Sequence, residues 1–330
     1  MKGNESSLYL RREEDALRPQ SLDEFIGQKD VVAHLKVYIK ASLLRNEPLD
    51  HVLFYGPPGL GKTTLAHIIA RELQHGIRCL SGPVFTRPGD LAAVLAGIAP
   101  FDVVFIDEIH RLPRQCEEIL YGAMEEFALH ILVGKGPAAK NIIINLPPFT
   151  LVGATTRISL LSAPLRSRFG IVERLDFYTE EEIVCIVKVT AERLGVTLEE
   201  EAAFEIARRS RGTPRIAHRL LRRVRDFAEV RGQKHLDGTI VKEAFRSLEV
   251  DAWGLTKMDR RFLQALHEQY AGGPVGIENI AVILGEDPAT LEEVYEPFLV
   301  KMGFVARTKR GRVLTPCGRD YLNRMVLRGE

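Results

Sequence analysis

The stretch that most constrains this chain is Gly56-Pro57-Pro58-Gly59-Leu60-Gly61-Lys62-Thr63-Thr64, set between the short apolar run Val52-Leu53-Phe54-Tyr55 and a helical segment over 62–73. Gly56 to Thr63 matches GxxxxGK[ST] in full, and a strand before with a helix after is the context that gives the pattern meaning. Each part answers a physical need. Glycines let consecutive backbone N–H groups turn inward onto phosphate oxygens, and the start of the helix adds partial positive charge. Lys62 is placed to reach β- and γ-phosphates, and Thr63 to offer a hydroxyl to Mg²⁺.

Further buried strands follow. Val103-Val104-Phe105-Ile106, Thr150-Leu151-Val152-Gly153-Ala154 and a fourth run over 171–175 alternate with helical stretches. That alternation predicts an α/β fold with a parallel sheet covered on both faces. Ser21 and Glu24 have capping-box spacing, and Val32, Leu35, Ile39 and Leu43 predict a helix over 29–44. One segment breaks the alternation: Leu129 to Val133, then Gly134-Lys135-Gly136-Pro137, then Ile142-Ile143-Ile144 reads as an inserted β-hairpin. On residues alone it is as much a plain surface hairpin as a docking element. Residues 1–16 read as loosely structured.

After Tyr178 the pattern is helical, with amphipathic segments over 180–194, 199–210, 214–231 and 237–248. From residue 252, helices over 256–270, 276–284 and 290–302 lead into Phe304–Leu314, two short strands around a basic turn, which together predict a winged helix-turn-helix. The expected organisation is a large ATPase domain over 1–178, a small helical domain over 179–250 and a winged-helix domain over 251–330; a chain of 330 residues fits two or three domains.

A formal net charge of +1 announces no nucleic-acid partner, so such a surface has to come from local clusters. The four cysteines are scattered without a CxxC pair, which reads as reduced thiols and not as a zinc site. No signal peptide and no apolar run of membrane-spanning length is present, so a soluble cytoplasmic protein without membrane attachment is expected.

Asp107 and Glu108 close the Val103–Ile106 strand. Behind a phosphate loop they read as a Mg²⁺ ligand and as the base that orients and deprotonates the attacking water; two acids could also simply cap the strand. Thr156, after the third strand, is placed to sense a γ-phosphate. Arg166 and Arg168 flank Ser167 on a polar turn, where one can serve as an arginine finger, worth about 10³–10⁵ in rate. Thr213 and Pro214 open a helix, and Arg215 in its first turn opposes the helix dipole unless it faces an anion such as ATP.

With these residues in view the chain resembles the bacterial RuvB family, the AAA+ motors of Holliday-junction branch migration. The likeness is carried by Leu17-Arg18-Pro19, Phe25-Ile26-Gly27-Gln28, the Gly56–Thr64 loop, Arg87-Pro88-Gly89-Asp90, Asp107-Glu108-Ile109-His110-Arg111, Gly153-Ala154-Thr155-Thr156-Arg157, Pro164-Leu165-Arg166-Ser167-Arg168-Phe169-Gly170 and Gly212-Thr213-Pro214-Arg215, in family order over about 17–315. The resemblance implies a P-loop AAA+ large domain, a helical lid and a winged-helix head. It implies ATP or ADP and Mg²⁺ held by Gly59, Leu60, Gly61, Lys62, Thr63 and Thr64, with Thr63 and Asp107 as metal ligands. Leu17, Arg18 and Tyr178 would line the adenine side, and Glu126 and Phe127 would also touch nucleotide. Lys62, Asp107, Glu108, Thr156 and Arg168 would be catalytic, with Arg168 acting on the next subunit and Arg215 as a second sensor. It further implies a homohexamer that moves double-stranded DNA in recombination and repair. DNA contacts would come from Arg307, Arg310 and Arg312, RuvA docking from the hairpin near 129–146, and RuvC would join in the resolving complex. Departures are Ile158-Ser159, Lys309 and the apolar stretch Asn141 to Asn145, none of them catalytic. Two rivals remain: a clamp-loader-like AAA+ subunit, against which Ser167-Arg168-Phe169 and the basic wing argue, and a DNA-binding regulator that hydrolyses slowly, against which the Asp107-Glu108 pair argues.

Overall fold

Short strands whose side chains are buried on both faces can only sit inside a sheet covered on both sides, and the parallel sheet meets that demand. A computed structural model of the chain describes residues 17–133 and 140–328; the predicted hairpin tip, Gly134 to Pro137, and the segment 1–16 lie outside them. The chain forms two compact units. The first takes the chain up to Leu194 together with Gly212–His218, and the second takes Gly195–Arg211 and the chain from Arg219 onward.

In the first unit, helix α1 (Lys29–Arg45) precedes β1 (Val52–Tyr55), α2 (Lys62–Glu72), β2 (Ile77–Ser81), α3 (Pro88–Ala96), β3 (Val103–Asp107) and α4 (Arg114–Glu125). The hairpin of β4 (Ala128–Val133) and β5 (Lys140–Asn145) comes next, then β6 (Thr150–Thr155), the single turn α5 (Ala163–Arg166), β7 (Ile171–Arg174) and α6 (Glu180–Arg193). Five strands form one parallel sheet in the order β2-β3-β6-β1-β7. Register is set by pairs such as Val52 with Val152 and with Ile171, and Val103 with Thr150. Because all five strands run the same way, the ends of β1, β3 and β6 gather at one edge of the sheet and their starts at the opposite edge. Leu53, Val104, Ile106, Leu120, Leu151 and Phe169 share one core under α4 and α5.

His51, just before β1, fixes the starting edge. Its Nδ1 accepts from the Leu151 N–H at 2.9 Å and its Nε2–H donates to the Met124 carbonyl at 3.1 Å. Those partners impose the neutral ring, and burial holds its pKa below the ordinary value.

The Ser21–Glu24 spacing does not start a helix. The Glu24 N–H bonds Ser21 Oγ at 3.3 Å within a turn, while the Glu24 carboxylate is taken by Arg193 at 2.8 Å and by the Gln20 N–H. The helix begins at Lys29, after Gly27 and Gln28 in left-handed conformations.

The second unit contains β8 (Thr197–Leu198), α7 (Glu200–Arg209), the body of α8 (Pro214–Val230), β9 (His235–Leu236) and α9 (Gly238–Ser247). The winged-helix region follows, with α10 (Lys257–Gln264), α11 (Ile277–Leu284), a helical run over 288–301 ending in α12 (Glu296–Lys301), the wing strands β10 (Val305–Thr308) and β11 (Gly311–Leu314), and α13 (Pro316–Arg328). Its core gathers Phe262, Leu263, Leu266, Ile280, Leu291 and Phe304. Arg211 ties α7 to this region: its Nε donates to the Gly254 carbonyl at 2.9 Å, its fork grips the fully buried Asp259 carboxylate, and its guanidinium lies 4.4 Å from the Phe298 ring. The Pro297 ring cannot donate back to Glu293, and the helix widens into a π turn over Leu291–Tyr295 before Glu296. No helix among the described residues is long and apolar enough to cross a membrane.

Candidate nucleotide site

The phosphate loop leaves β1 at the edge where strand ends gather. Gly56 continues the ladder, its N–H bonding the Thr155 carbonyl at 3.2 Å. Lys62, at the start of α2, is buried and donates to the carbonyls of Gly56 and Pro57, both at 2.8 Å. Its ammonium therefore rests in the mouth of the loop. Burial pushes its pKa down to about 8, Arg215 adds to that, and Asp107 and Glu108 pull the other way. Gly59 adopts φ +80°, and a Cβ there would meet the Thr213 methyl at 2.8 Å and Arg215 Cβ at 3.0 Å. Only glycine admits this approach, which brings the first turn of α8 onto the loop; the Arg215 N–H faces the Gly59 carbonyl at 3.4 Å. The Arg215 side chain is exposed.

Asp107 and Glu108 lie at the end of β3, two strands from β1 with β6 between. Asp107 Oδ1 accepts the Glu108 N–H at 2.9 Å, and Glu108 takes a left-handed turn at φ 49°. Thr156 Oγ1 donates to Glu108 Oε2 at 3.4 Å, so the second acid and the threonine that follows β6 touch. His110 Nδ1 sits 3.3 Å from the same carboxylate and 2.8 Å from Thr155 Oγ1. His110 was not singled out by sequence reasoning, because nothing in a strand-end motif shows that a following turn folds back on it.

Tyr178 lies across the base of the loop. Its buried hydroxyl donates to the Leu60 carbonyl at 3.0 Å, its N–H donates to Gly212, and burial raises the phenol well above its ordinary value. Its ring occupies the space a Cβ on Gly27 would need, 2.5 Å away. Leu17 is buried, and its carbonyl is held by Arg193 of α6 at 2.9 Å, on the helix that Tyr178 leads into; Arg18 follows it in a bend. Thr63 and Thr64 sit half-buried in the first turn of α2.

Three expected site residues are placed elsewhere. Arg168 precedes β7 at the opposite edge of the sheet, where strands start, and contacts Glu125, Tyr121 and Pro164. Glu126 and Phe127 follow α4 at the same edge: the Phe127 ring packs 5.9 Å from Phe149 and 6.5 Å from His51, and Glu126 bonds His130 at 3.1 Å. Strands of four to six residues at about 3.3 Å each put roughly 15 Å of sheet between these residues and the phosphate loop.

In the second unit the wing arginines differ among themselves. Arg307 forks onto Glu296 at 2.8 and 2.6 Å, and Arg312 bonds Glu296 at 2.9 and 3.1 Å and Glu292 at 3.1 Å. Burial alone would raise the Glu296 carboxyl, but the bonds from Arg312 and Arg307 win and hold it below its ordinary value. Arg310, at the turn beside Lys309, is exposed.

A loop of phosphate-binding pattern, paired acids on a nearby strand end, and a threonine in contact with the second acid define a P-loop ATPase of the AAA+ class. Three family models agree with that class: "Holliday junction DNA helicase RuvB P-loop domain" over residues 17–175, "RuvB AAA lid domain" over 178–251 and "RuvB C-terminal winged helix domain" over 252–323. The chain belongs to the RuvB family. It is 53% identical over 310 residues to the Holliday junction branch migration complex subunit RuvB of Oleidesulfovibrio alaskensis, covering 94% of this chain and 97% of that protein. The solved structure of the Thermotoga maritima RuvB Holliday junction branch migration motor superposes with a TM-score of 0.85 at 51% identity, covering 93% of this chain and 98% of that one. A point variant of the Thermotoga protein gives 0.86 at 50% identity over the same shares.

Proposed function

We propose that this chain is the ATP-hydrolysing motor subunit of a Holliday junction branch migration complex, a homohexameric ring that couples hydrolysis to movement of double-stranded DNA. The observation that carries the reading is the division of the site. Lys62, Asp107, Glu108, Thr156 and Arg215 meet at one sheet edge, while Arg168 stands at the other, too far to serve its own loop.

Within one subunit, Gly59 to Thr64 wrap the phosphates, with Lys62 on the β- and γ-oxygens. Leu17, Arg18 and Tyr178 border the adenine. Thr63 and Asp107 are the ligands proposed for Mg²⁺. They offer a hard all-oxygen set, and the Asp107 carboxylate is close enough to Lys62 to hold up its charge, so cation and phosphate would share one field. Bound there, Mg²⁺ neutralises charge that develops on the phosphates. Glu108 takes a proton from the attacking water, and Thr156 holds that carboxylate in line. The next subunit contributes Arg168 to the γ-phosphate, with Glu126 and Phe127 at the same edge of the sheet also meeting that nucleotide.

The hairpin of β4 and β5 exposes Ile142 and Ile144 on one face and Ile143 on the other, apolar surface that suits docking of RuvA. DNA phosphates are met by the wing through Arg310, with Arg307 and Arg312 beside it. RuvC is the expected further partner in the resolving complex, in the cytoplasm. The organisation proposed remains a large domain to 178, a lid to 250 and a winged-helix head.

The test is complementation. Lys62→Ala loses ATPase activity, Arg168→Ala hydrolyses poorly but measurably, and mixing the two variants on duplex DNA restores part of the rate. No recovery in mixed assemblies would remove the trans assignment, and no stimulation by DNA would remove the motor.

A further inference from the structure

Arg168 does not hang free at its edge. Its guanidinium lies 4.5 Å from the centre of the Tyr121 ring, within cation–π range. Nη1 donates to the Pro164 carbonyl at 2.6 Å and Nη2 to Glu125 Oε2 at 3.0 Å. The side chain is only 20% exposed, and its buried Nε–H has no acceptor among the described residues. A surface arginine at the end of a one-turn helix would ordinarily sample many rotamers. This one is held on three sides.

The holder is itself fixed. Tyr121 and Glu125 stand four residues apart on α4, so they share a face. The Tyr121 hydroxyl bonds Ser162 Oγ at 3.0 Å and contacts Glu117 at 3.4 Å. Ser162 also caps α5 by accepting the Leu165 N–H at 3.3 Å, and α5 leads straight to Arg168. The same tyrosine thus supports the guanidinium from below and ties α4 to the turn that carries it. The end of α4 is anchored in turn by the His51 bond to the Met124 carbonyl.

We propose that Tyr121 and Glu125 are positioning residues for Arg168, forming a cradle on the last two turns of α4 that aims the guanidinium outward from the starting edge of the sheet. The inference rests on the assignment of Arg168 to a neighbouring subunit's nucleotide. Its content is that the finger works because it is pre-aimed: the ring fixes its plane, and Glu125 fixes its outer nitrogen until a γ-phosphate competes for it. An arginine that must first be ordered loses rate because reacting groups misplaced by about 1 Å can cost on the order of 100-fold.

The experiment measures steady-state ATP hydrolysis by the full-length protein on duplex DNA, in wild-type and Arg168→Ala backgrounds. Glu125→Gln and Tyr121→Leu are each expected to lower kcat about tenfold or more with KM for ATP unchanged, since uniform binding is untouched. Tyr121→Phe keeps the ring and should retain most of the rate. In the Arg168→Ala background neither substitution should cost anything further, because residues acting through one group are not additive. Glu125 is half-exposed, so Glu125→Gln should fold normally and carries the test even if Tyr121→Leu does not. Wild-type-like kcat in Glu125→Gln, a rise in kcat, or an equal loss in both backgrounds would overturn the cradle. A wild-type rate in Arg168→Ala alone would instead show that the trans assignment beneath it has failed.

Discussion

Burial of Lys62 works against its charge, and nucleotide binding is expected to depend on pH for that reason. In the free site burial lowers its pKa to about 8. Phosphates bound against the ammonium raise that value well beyond the assay range, so binding selects the charged form. The apparent Kd then scales as 1 + 10^(pH − 8). Between pH 7 and pH 9 it rises about tenfold, or about 1.4 kcal/mol. Near pH 8 each binding event should take up about half a proton. Phosphate oxygens are already ionised across this window, their second pKa being about 6. The assay is ADP titration by calorimetry at three pH values in buffers of different ionisation enthalpy. Lys62→Arg supplies the control, because a guanidinium stays charged throughout and its Kd should be flat. A wild-type Kd unchanged from pH 7 to pH 9, or an equal rise in Lys62→Arg, would refute the argument. The same depressed pKa acts on folding with the opposite sense: the unfolded chain keeps its proton up to about 10.5 while the folded apo site releases it near 8, so apo stability rises as pH climbs through that interval.

Three other outcomes are expected. Glu108→Gln should bind ATP and stall before hydrolysis, seen as stable nucleotide retention without phosphate release. Arg310→Ala should weaken duplex binding and lower the slope of log K against log salt by about 1, with no change in thermal midpoint, because its exposed side chain holds nothing in the fold. Glu296→Ala should cost about 1–3 kcal/mol in denaturant unfolding, because Arg312, largely buried, loses its closest acceptor and keeps only Glu292, while the half-exposed Arg307 can turn to water. That contribution is present at neutral pH and is lost as pH falls through the depressed pKa of Glu296.

Much of the first unit was legible in the sequence because β1, β3 and β6 are uninterrupted apolar runs, which buried parallel strands require. β2 was not, since Ile77-Arg78-Cys79-Leu80-Ser81 lies at the sheet margin, exposes Arg78 and Cys79 on its two faces and has no such run. Helix α13 is likewise hidden, because its first turn, Pro316-Cys317-Gly318, has the composition of a turn. The phosphate loop, Asp107, Glu108 and Arg215 follow from spacing and local chemistry. The location of Arg168 does not. Which edge of the sheet it reaches depends on the direction of β7, and direction is a property of pairing that no local pattern records. The wing shows the same limit: four basic residues over 307–312 look alike in sequence, and only folding shows that Glu296 on the preceding helix engages two of them.

If Arg168 completes a neighbour's nucleotide site, as proposed above, the division between opposite edges of one sheet has an arithmetic consequence. Each subunit would then own one loop and lend one finger, with contacts running head to tail. An open row of n subunits then contains n − 1 complete sites, with an idle loop at one end and an idle finger at the other. Closing the row adds the last site without adding a subunit. One defective member also touches two sites, the one it owns and the one it assists, so inactive copies should depress a mixed population more steeply than their share of it.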